Sequence, residues 1–453
     1  MSVAIVGGGI SGLATAYYLS KANVDCVLIE ESPRLGGVIR TESLDECLIE
    51  GGPDSFLAQK PWARELITEL GMSDKIICSQ DHQRKTYVSV GKRLVPIPEG
   101  FQFLAPTRPW PILKSPLFSW RTKLRMATEL LRRPPVEAPN PDRSVAEFVI
   151  DHFGDEVNEK LVQPMLSGVY GGPPERLRLE SIVPRFAEIE RKYGSISRGL
   201  LRLAKPSSGP LFHSILGGMQ RLTEALAEKI SSPITAAATG ISRSQAGYEV
   251  RFGSQSAIVD SVVLAIPAYR SGALLRAFDS DLADRLETIP YSSSIVTGFA
   301  YERDQLDHPT NGFGFLVPRS ENRALAACTW VHKKFPNRAP ADRALLRAFI
   351  AGEKADARMS ESDEKLAGDS ETELQQMMGY RGRAMSNRVF RWPRAMAQYE
   401  TGHARTLDWI RGRLKQHPNL YLCGNAYEGI GIPDCVRLAK QTAERIAGGD
   451  GAS

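Results

Sequence analysis

The chain opens on a short, uninterrupted apolar run, Val3 to Val6, which predicts a strand covered on both faces. A helix-like stretch from Leu13 to Ser20 follows, and then a second apolar run from Val24 to Ile29. Runs of the same buried-strand type recur at Ser261 to Pro267 and at Asn419 to Cys423, the latter leading into an amphipathic helix that ends near Gly448. Strands of one kind are therefore dispersed along the chain, and the parallel sheet they predict belongs to a discontinuous domain. Ser144 to about Leu203 reads as helical. Short β-branched runs from Ser292 to Val331 and from Leu345 to Phe390 predict an antiparallel sheet, and the acidic stretch Glu361 to Glu371 predicts a solvated loop with the start of a helix. The expected fold is α/β: a doubly wound, Rossmann-like domain of residues 1–75, 213–268 and 415–453; a mixed-sheet domain of residues 76–104 and 269–414; and a helical excursion of residues 105–205.

Composition leaves that picture intact. The 453 residues are 42% hydrophobic and 24% charged, as in an ordinary globular protein, and no run of about 18 apolar residues is present to span a bilayer. Met1-Ser2 passes straight into the first strand without the features of a signal peptide, so a cytoplasmic location is expected. The six cysteines lack any metal-ligand spacing, and none of the seven histidines falls in a triad or metal pattern; no metal site is expected. Charge changes the picture more. Between Arg84 and Arg133 eleven basic residues face two acidic ones, an excess of nine against +5 for the whole chain. Ser119 is placed to cap a helix running to about Arg133, with Leu124, Ala127 and Leu131 on one face, Arg121, Arg125 and Arg132 on another, and Trp110 and Trp120 before it. This pattern predicts a segment lying on an anionic membrane surface; the alternative is a solvated helix whose charge steers an acidic substrate. No aromatic-interleaved motif accompanies the charge, so nucleic acid is not an expected partner.

The first run ends in Gly7-Gly-Gly-Ile-Ser-Gly12, a GxGxxG motif through Gly7, Gly9 and Gly12. Gly7 serves the tight turn, Gly9 the approach of a pyrophosphate, and Gly12 close helix-to-strand packing, while the helix N-terminus offers free amides to the phosphates. Glu30, closing the second run, suits the ribose hydroxyls of adenosine and disfavours a ribose phosphate. Two further clusters, Arg34-Leu-Gly-Gly37 and Glu50-Gly-Gly-Pro53, stand where a longer cofactor would continue, which favours FAD over a nicotinamide. Pro433 fits the first turn of the C-terminal helix, whose positive end would favour negative charge on a reduced flavin.

Those motifs, together with Glu50-Gly-Gly-Pro-Asp-Ser-Phe56, Gly217-Gly-Met-Gln-Arg-Leu222, Asn311-Gly-Phe-Gly-Phe-Leu-Val-Pro318 and Tyr427-Glu-Gly-Ile-Gly-Ile-Pro-Asp-Cys435, resemble the oxygen-dependent protoporphyrinogen oxidase family of the flavin amine oxidase superfamily, essentially end to end. The resemblance implies oxidation of a porphyrinogen, protoporphyrinogen IX or coproporphyrinogen III, to the porphyrin in haem biosynthesis, with electrons passing through FAD to dioxygen and hydrogen peroxide released. It implies that Gly168 faces the macrocycle and that Phe313 and Leu316 wall it, that Ile430, Gly431 and Ile432 contact the flavin, that Ala238 lies at the adenine end, and that Trp392 neighbours the flavin. With the motifs, the expected cofactor-binding set is Gly7, Gly8, Gly9, Ile10, Ser11, Gly12, Glu30, Glu31, Arg34, Gly36, Gly37, Val38, Glu50, Gly51, Gly52, Pro53, Ala238, Trp392, Gly424, Ile430, Gly431 and Ile432. Where many members carry a propionate-pairing arginine this chain has Gln102, leaving Arg93 and Arg108 as candidates. A homodimer is a further expected partner. The alternative functions are a flavin amine oxidase, a carotenoid-type desaturase, or a non-catalytic FAD protein that binds porphyrin; the Pro-Asp-Cys ending argues against the first two.

Overall fold

The computed structural model describes residues 1–102, 104–137, 139–203, 209–231, 233–306 and 308–448. Its first lobe is built on a five-stranded sheet in the order Ile234–Thr235, Asp25–Glu30, Ser2–Val6, Ser261–Leu264, Leu420–Leu422. Every pairing is parallel, with Val3 opposite Ser261 and Val262 opposite Leu420. Helices Ile10–Lys21 and Ile432–Gly448 pack on each other against this sheet. The apolar runs carry no alternation because both of their faces are covered, and the five strands come together from three stretches of sequence far apart along the chain. An antiparallel meander, Ala238–Ser244, Gly247–Phe252 and Gln255–Val259, leads into the fourth strand in sheet order.

The second lobe is a seven-stranded mixed sheet in the order Ser386–Ala397, Tyr291–Glu302, Arg343–Ala351, Ala327–Trp330, Gly314–Leu316, Thr86–Val90, Arg93–Pro96. All pairings are antiparallel except Gly314–Leu316 with the strand beginning at Thr86. Two differences from the sequence reading stand out. The strands Tyr291–Glu302 and Ser386–Ala397 run for 12 residues each rather than as short pieces. Within the span read as sheet and acidic loop lies the 16-residue helix Asp363–Met378, its N-terminus capped by Ser362 Oγ, which accepts from the Lys365 N–H at 3.3 Å. Leu366, Ala367, Leu374, Met377 and Met378 form its buried face against the sheet. Those apolar positions are spread over three turns among acids, so the charges hid the 3.6-residue period.

The helical excursion contains Pro109–Lys114, Trp120–Glu129, Val145–Phe153, Pro184–Tyr193 and Ile196–Leu203. The basic helix ends at Glu129, short of Arg133, and Ser119 Oγ accepts from Thr122 N–H as expected of a cap. Its faces are the reverse of an ordinary amphipathic helix. Thr122, Lys123, Met126 and Glu129 are buried, whereas Leu124 is 67% and Leu131 78% exposed. Arg125 donates to the Ile150 and Asp151 carbonyls at the end of the neighbouring helix, and Arg132 pairs with Asp151, so two of the predicted outward arginines tether the helix instead. One large core fills the first lobe and the excursion, a second lies beneath the mixed sheet, and a small third core (Cys47, Ile49, Val296, Ala300, Val331, Leu345, Phe390) joins the lobes.

Candidate functional site

At the C-terminal ends of the parallel strands the glycines do what their positions require. Gly7 has φ +108°, and a Cβ there would lie 2.6 Å from the Ala265 carbonyl; any side chain on Gly12 would run into the Gly7 carbonyl. Gly9, by contrast, faces open space and precedes helix Ile10–Lys21, whose first turn has no side-chain cap. Uncapped amides with room in front of them are what a pyrophosphate needs, so the residues present fit a dinucleotide. Gly8 N–H donates to Glu30 Oε2 at 2.5 Å and Ser32 N–H to Oε1 at 2.8 Å, which holds that carboxylate beside the turn. Ile10 is half-buried and Ser11 buried in the helix start, while Glu31 is exposed and paired with Arg270.

From Gly9 the second glycine cluster continues the line. Gly36 N–H donates to the Gly8 carbonyl at 2.8 Å, and the α-carbon of Gly9 lies 3.3 Å from where Gly37 would carry a Cβ. Arg34 does not reach outward: its guanidinium donates to the Leu35, Ile39 and Gly37 carbonyls and braces this loop. The third cluster lies against the second, because Gly51 N–H donates to the Arg40 carbonyl at 2.7 Å and Gly52 abuts the carbonyl of the exposed Val38. Pro53 follows at the half-buried end of the line. Glu50 is turned away from it, fully buried, accepting from Thr41 Oγ1 at 2.7 Å and Met219 N–H at 2.8 Å and pairing with Arg338 at 3.1 Å. Burial raises its carboxyl above the ordinary value despite Arg338. At the other end Ala238 stands two residues past Ala236, whose N–H donates to the Glu30 carbonyl at 2.9 Å, beside the end of strand Asp25–Glu30. Gly424, with φ +140°, closes the last parallel strand near Ile266, and Ile430, Gly431 and Ile432 lead into the C-terminal helix, where Asp434 packs under Gly429 and Gly431.

The glycine line ends on the mixed sheet. The Phe390 ring lies against the Gly51 α-carbon, and Trp392 Nε1–H donates to the Gly51 carbonyl at 2.7 Å. Phe390 opens a row of direct cross-strand partners, Phe390, Val296, Phe349, Ala327, Leu316, Val88 and Val95, one from each strand. Partners in register share a face, so this is a continuous apolar wall across the sheet. Over its middle lies Gly168, whose hypothetical Cβ is 3.8 Å from that of Ala327. Gly168 sits in the last turn of helix Gln163–Tyr170, where carbonyls lack intrahelical partners, and the helix ends at Gly171 with φ +68°. Gln398 Nε2 fixes that end by donating to the Tyr170 carbonyl at 2.5 Å. Burial and the nearby Asp434 push the Tyr170 phenol up to about 12. The structure thus brings Gly168 and Leu316 together across Ala327, while Phe313 is buried just before the strand, its N–H donating to the Lys85 carbonyl at 2.8 Å. Arg93 begins the edge strand and Arg108 lies exposed over Gly100, 3.9 Å from Glu99. The side chain of Gln102 lies outside the described residues.

Sequence reasoning missed a buried ionic cluster behind Gly51–Asp54. Lys334 Nζ is 2.9 Å and Arg347 Nη1 3.3 Å from Asp54 Oδ2, and Arg347 Nη2 donates to the Gly52 carbonyl at 2.6 Å. Burial alone would raise the Asp54 carboxyl, but the two cations overcome it and hold it well below the usual carboxylate range. The available signal was an arginine inside the apolar strand Arg343–Ala351.

Comparison with known proteins gives the family. Residues 10–447 match the model of the flavin containing amine oxidoreductases. Coproporphyrinogen III oxidase of Bacillus subtilis (strain 168) is 31% identical over 97% of this chain and 96% of its own. The chloroplastic protoporphyrinogen oxidase 1 of Spinacia oleracea is 28% identical over 98% of this chain and 83% of its own. A solved structure from Exiguobacterium sp. 255-15, classed with the protoporphyrinogen oxidases, superposes with a TM-score of 0.90 at 31% identity over 98% of each chain.

Proposed function

The chain belongs to the flavin-containing amine oxidoreductases, and from that premise we propose that it is an FAD-dependent oxidase that converts a porphyrinogen to the porphyrin in haem biosynthesis, with dioxygen as the final acceptor. The observation that carries this reading is the apolar wall that starts at the glycine line on Gly51 and passes under Gly168. FAD, when bound, would supply the hydride acceptor: of the six hydrogens lost, four from the bridging carbons and two from pyrrole N–H groups, three would leave as hydride and three as protons, the six electrons passing on in pairs to dioxygen to give hydrogen peroxide. The protein's part is mostly positioning, because conjugation gained by the macrocycle favours the reaction. Leu316, Ala327 and Phe349, partners in register, offer an apolar surface for a flat macrocycle. The Gly168 carbonyl, without an intrahelical partner or a side chain in the way, is set to accept from the pyrrole N–H groups. Anaerobic mixing of the purified holoprotein with coproporphyrinogen III or protoporphyrinogen IX tests the proposal. Bleaching of the flavin absorption that recovers in air is expected, and the faster of the two substrates is the natural one; flavin unchanged by both overturns the catalytic reading.

A second reading concerns the excursion. Trp110 (71% exposed) and Trp120 (73%) join Leu124 and Leu131 on its surface, whereas the buried face of helix Trp120–Glu129 is polar apart from Met126. Such an inverted helix beside basic side chains supports peripheral attachment to an anionic membrane. Among the described residues no helix is long and apolar enough to cross one. The protein is expected to co-sediment with anionic vesicles at low salt, and Leu124→Glu with Leu131→Glu to remain in the supernatant. Wild-type protein that ignores the vesicles contradicts the reading, and vesicle-free controls at rising concentration show whether the patch meets a second copy instead.

A further inference from the structure

Arg347 lies two residues along its strand from Phe349, on the same face of the mixed sheet as the apolar wall, with Gly298 and Thr329 as its cross-strand partners. Its side chain is buried, 2% exposed, and spans the gap to the first lobe to reach the Gly52 carbonyl and Asp54. Arg338, buried equally, donates to Ser214 Oγ at 2.6 Å and pairs with Glu50, and Ser214 Oγ donates to the Asp54 carbonyl at 2.6 Å. With Lys334, three cations therefore face two carboxylates, leaving one positive charge in excess. Arg347 Nε and Arg338 Nη1 are buried without a hydrogen-bond partner among the described residues. A purely structural cluster gains nothing from an unmatched buried charge, which is costly to desolvate. Its location offers a compensating partner, because the Gly52 carbonyl that Arg347 holds belongs to the backbone line of the cofactor site.

We propose that Arg347 is a positioning residue of the flavin site: it fixes the Gly51–Pro53 backbone through the Gly52 carbonyl, and the surplus positive charge of its cluster favours the negative charge that bound FAD acquires on reduction. The inference rests on the flavin reading of the glycine line and names what tunes the cofactor there. Two variants separate the two parts of the role. Arg347→Lys keeps the charge and loses the planar fork; Arg347→Gln keeps a donor for the Gly52 carbonyl and loses the charge. The readouts are the flavin midpoint potential, by equilibration of the holoprotein with a reference dye, and FAD retention, by fluorescence released on dilution. Arg347→Gln is expected to shift the reduction equilibrium at least tenfold toward oxidised flavin, about 30 mV for a two-electron couple. Arg347→Lys is expected to release FAD more readily but to move the potential less than threefold in equilibrium constant. A Gln variant that retains FAD at the wild-type potential overturns the proposal, as do Lys and Gln variants with equal shifts, which would assign the effect to geometry alone. Should the Arg347 variants fail to fold, Lys334→Met removes one charge from the edge of the same cluster; a shift in the same direction is expected, and an unchanged potential overturns the proposal. Wild-type protein that takes up no FAD would instead remove the flavin reading itself.

Discussion

Gly51 is gripped from two sides, by the Phe390 ring on its α-carbon and by the Trp392 indole N–H on its carbonyl. Trp392→Phe removes the second grip and leaves the ring in place. A neutral hydrogen bond contributes about 1 kcal/mol, so FAD is expected to bind roughly fivefold more weakly, which equilibrium dialysis against FAD will read; unchanged affinity would mean that Trp392 is only a packing residue. Residues of this kind differ in how openly they announce themselves. Gly7, Gly9 and Gly12 are legible because a backbone that must turn sharply, or admit a ligand, excludes every other residue type within a stretch of six. Glu50 belongs in sequence to the cluster placed where a longer cofactor would continue, and in the structure its carboxylate answers to Thr41, Met219 and Arg338. Arg347 shows in the sequence only as a cation inside an apolar strand and Arg338 has no comparable trace, because their partners lie in another lobe and pairing across hundreds of residues imposes no local spacing.

The helices of the excursion meet at one buried polar hub. His152 Nδ1 is 3.1 Å from Glu129 Oε1 and its Nε2 is 3.0 Å from Glu190 Oε1, while Ile196 N–H and Ser195 Oγ donate to Glu129 and Arg143 to Glu190. Four helices and the turn before Ile196 are tied through these side chains. Burial by itself would raise both carboxyls, but His152 and the other donors hold each below the ordinary 4.5. A carboxyl held below its unfolded value stabilises the fold above that value and loses the contribution as pH falls toward the folded one. The unfolding midpoint of the wild type is therefore expected to fall more steeply than that of Glu129→Gln as pH drops below the ordinary 4.5, by calorimetry. Parallel pH slopes would exclude the hub from that loss. Element types were readable wherever one period dominated, as in the first strand and helix. They were misread where charge masked it: Asp363–Met378 looked acidic before it looked amphipathic, and Trp120–Glu129 turned its apolar residues outward.

At the scale of the molecule the two lobes share the glycine line, a small joining core and a buried ionic cluster, so a cofactor bound along that line would be linked to the fold. Stripping FAD is expected to lower the unfolding midpoint of the whole protein in one transition, and restoring it at about a thousand times its Kd to add about 4 kcal/mol. A midpoint indifferent to FAD would contradict that linkage. The α/β class, the discontinuous origin of the parallel sheet and the presence of a mixed sheet were all visible in the distribution of apolar runs. The register that aligns Phe390 with Leu316 through three intervening strands was not, since cross-strand partners are chosen by the assembled sheet. The parallel sheet has one more consequence. Its edge strand Leu420–Leu422 and the helix Ile432–Gly448 that seals the first helix are made some four hundred residues after Ser2–Val6. At about 5–20 residues per second, the nascent glycine turn waits on the order of a minute on the ribosome with its apolar flank uncovered. Cofactor capture is thus expected to follow translation of this stretch, and a chain cut short before residue 420 is expected to emerge colourless and chaperone-bound, however complete its nucleotide motif.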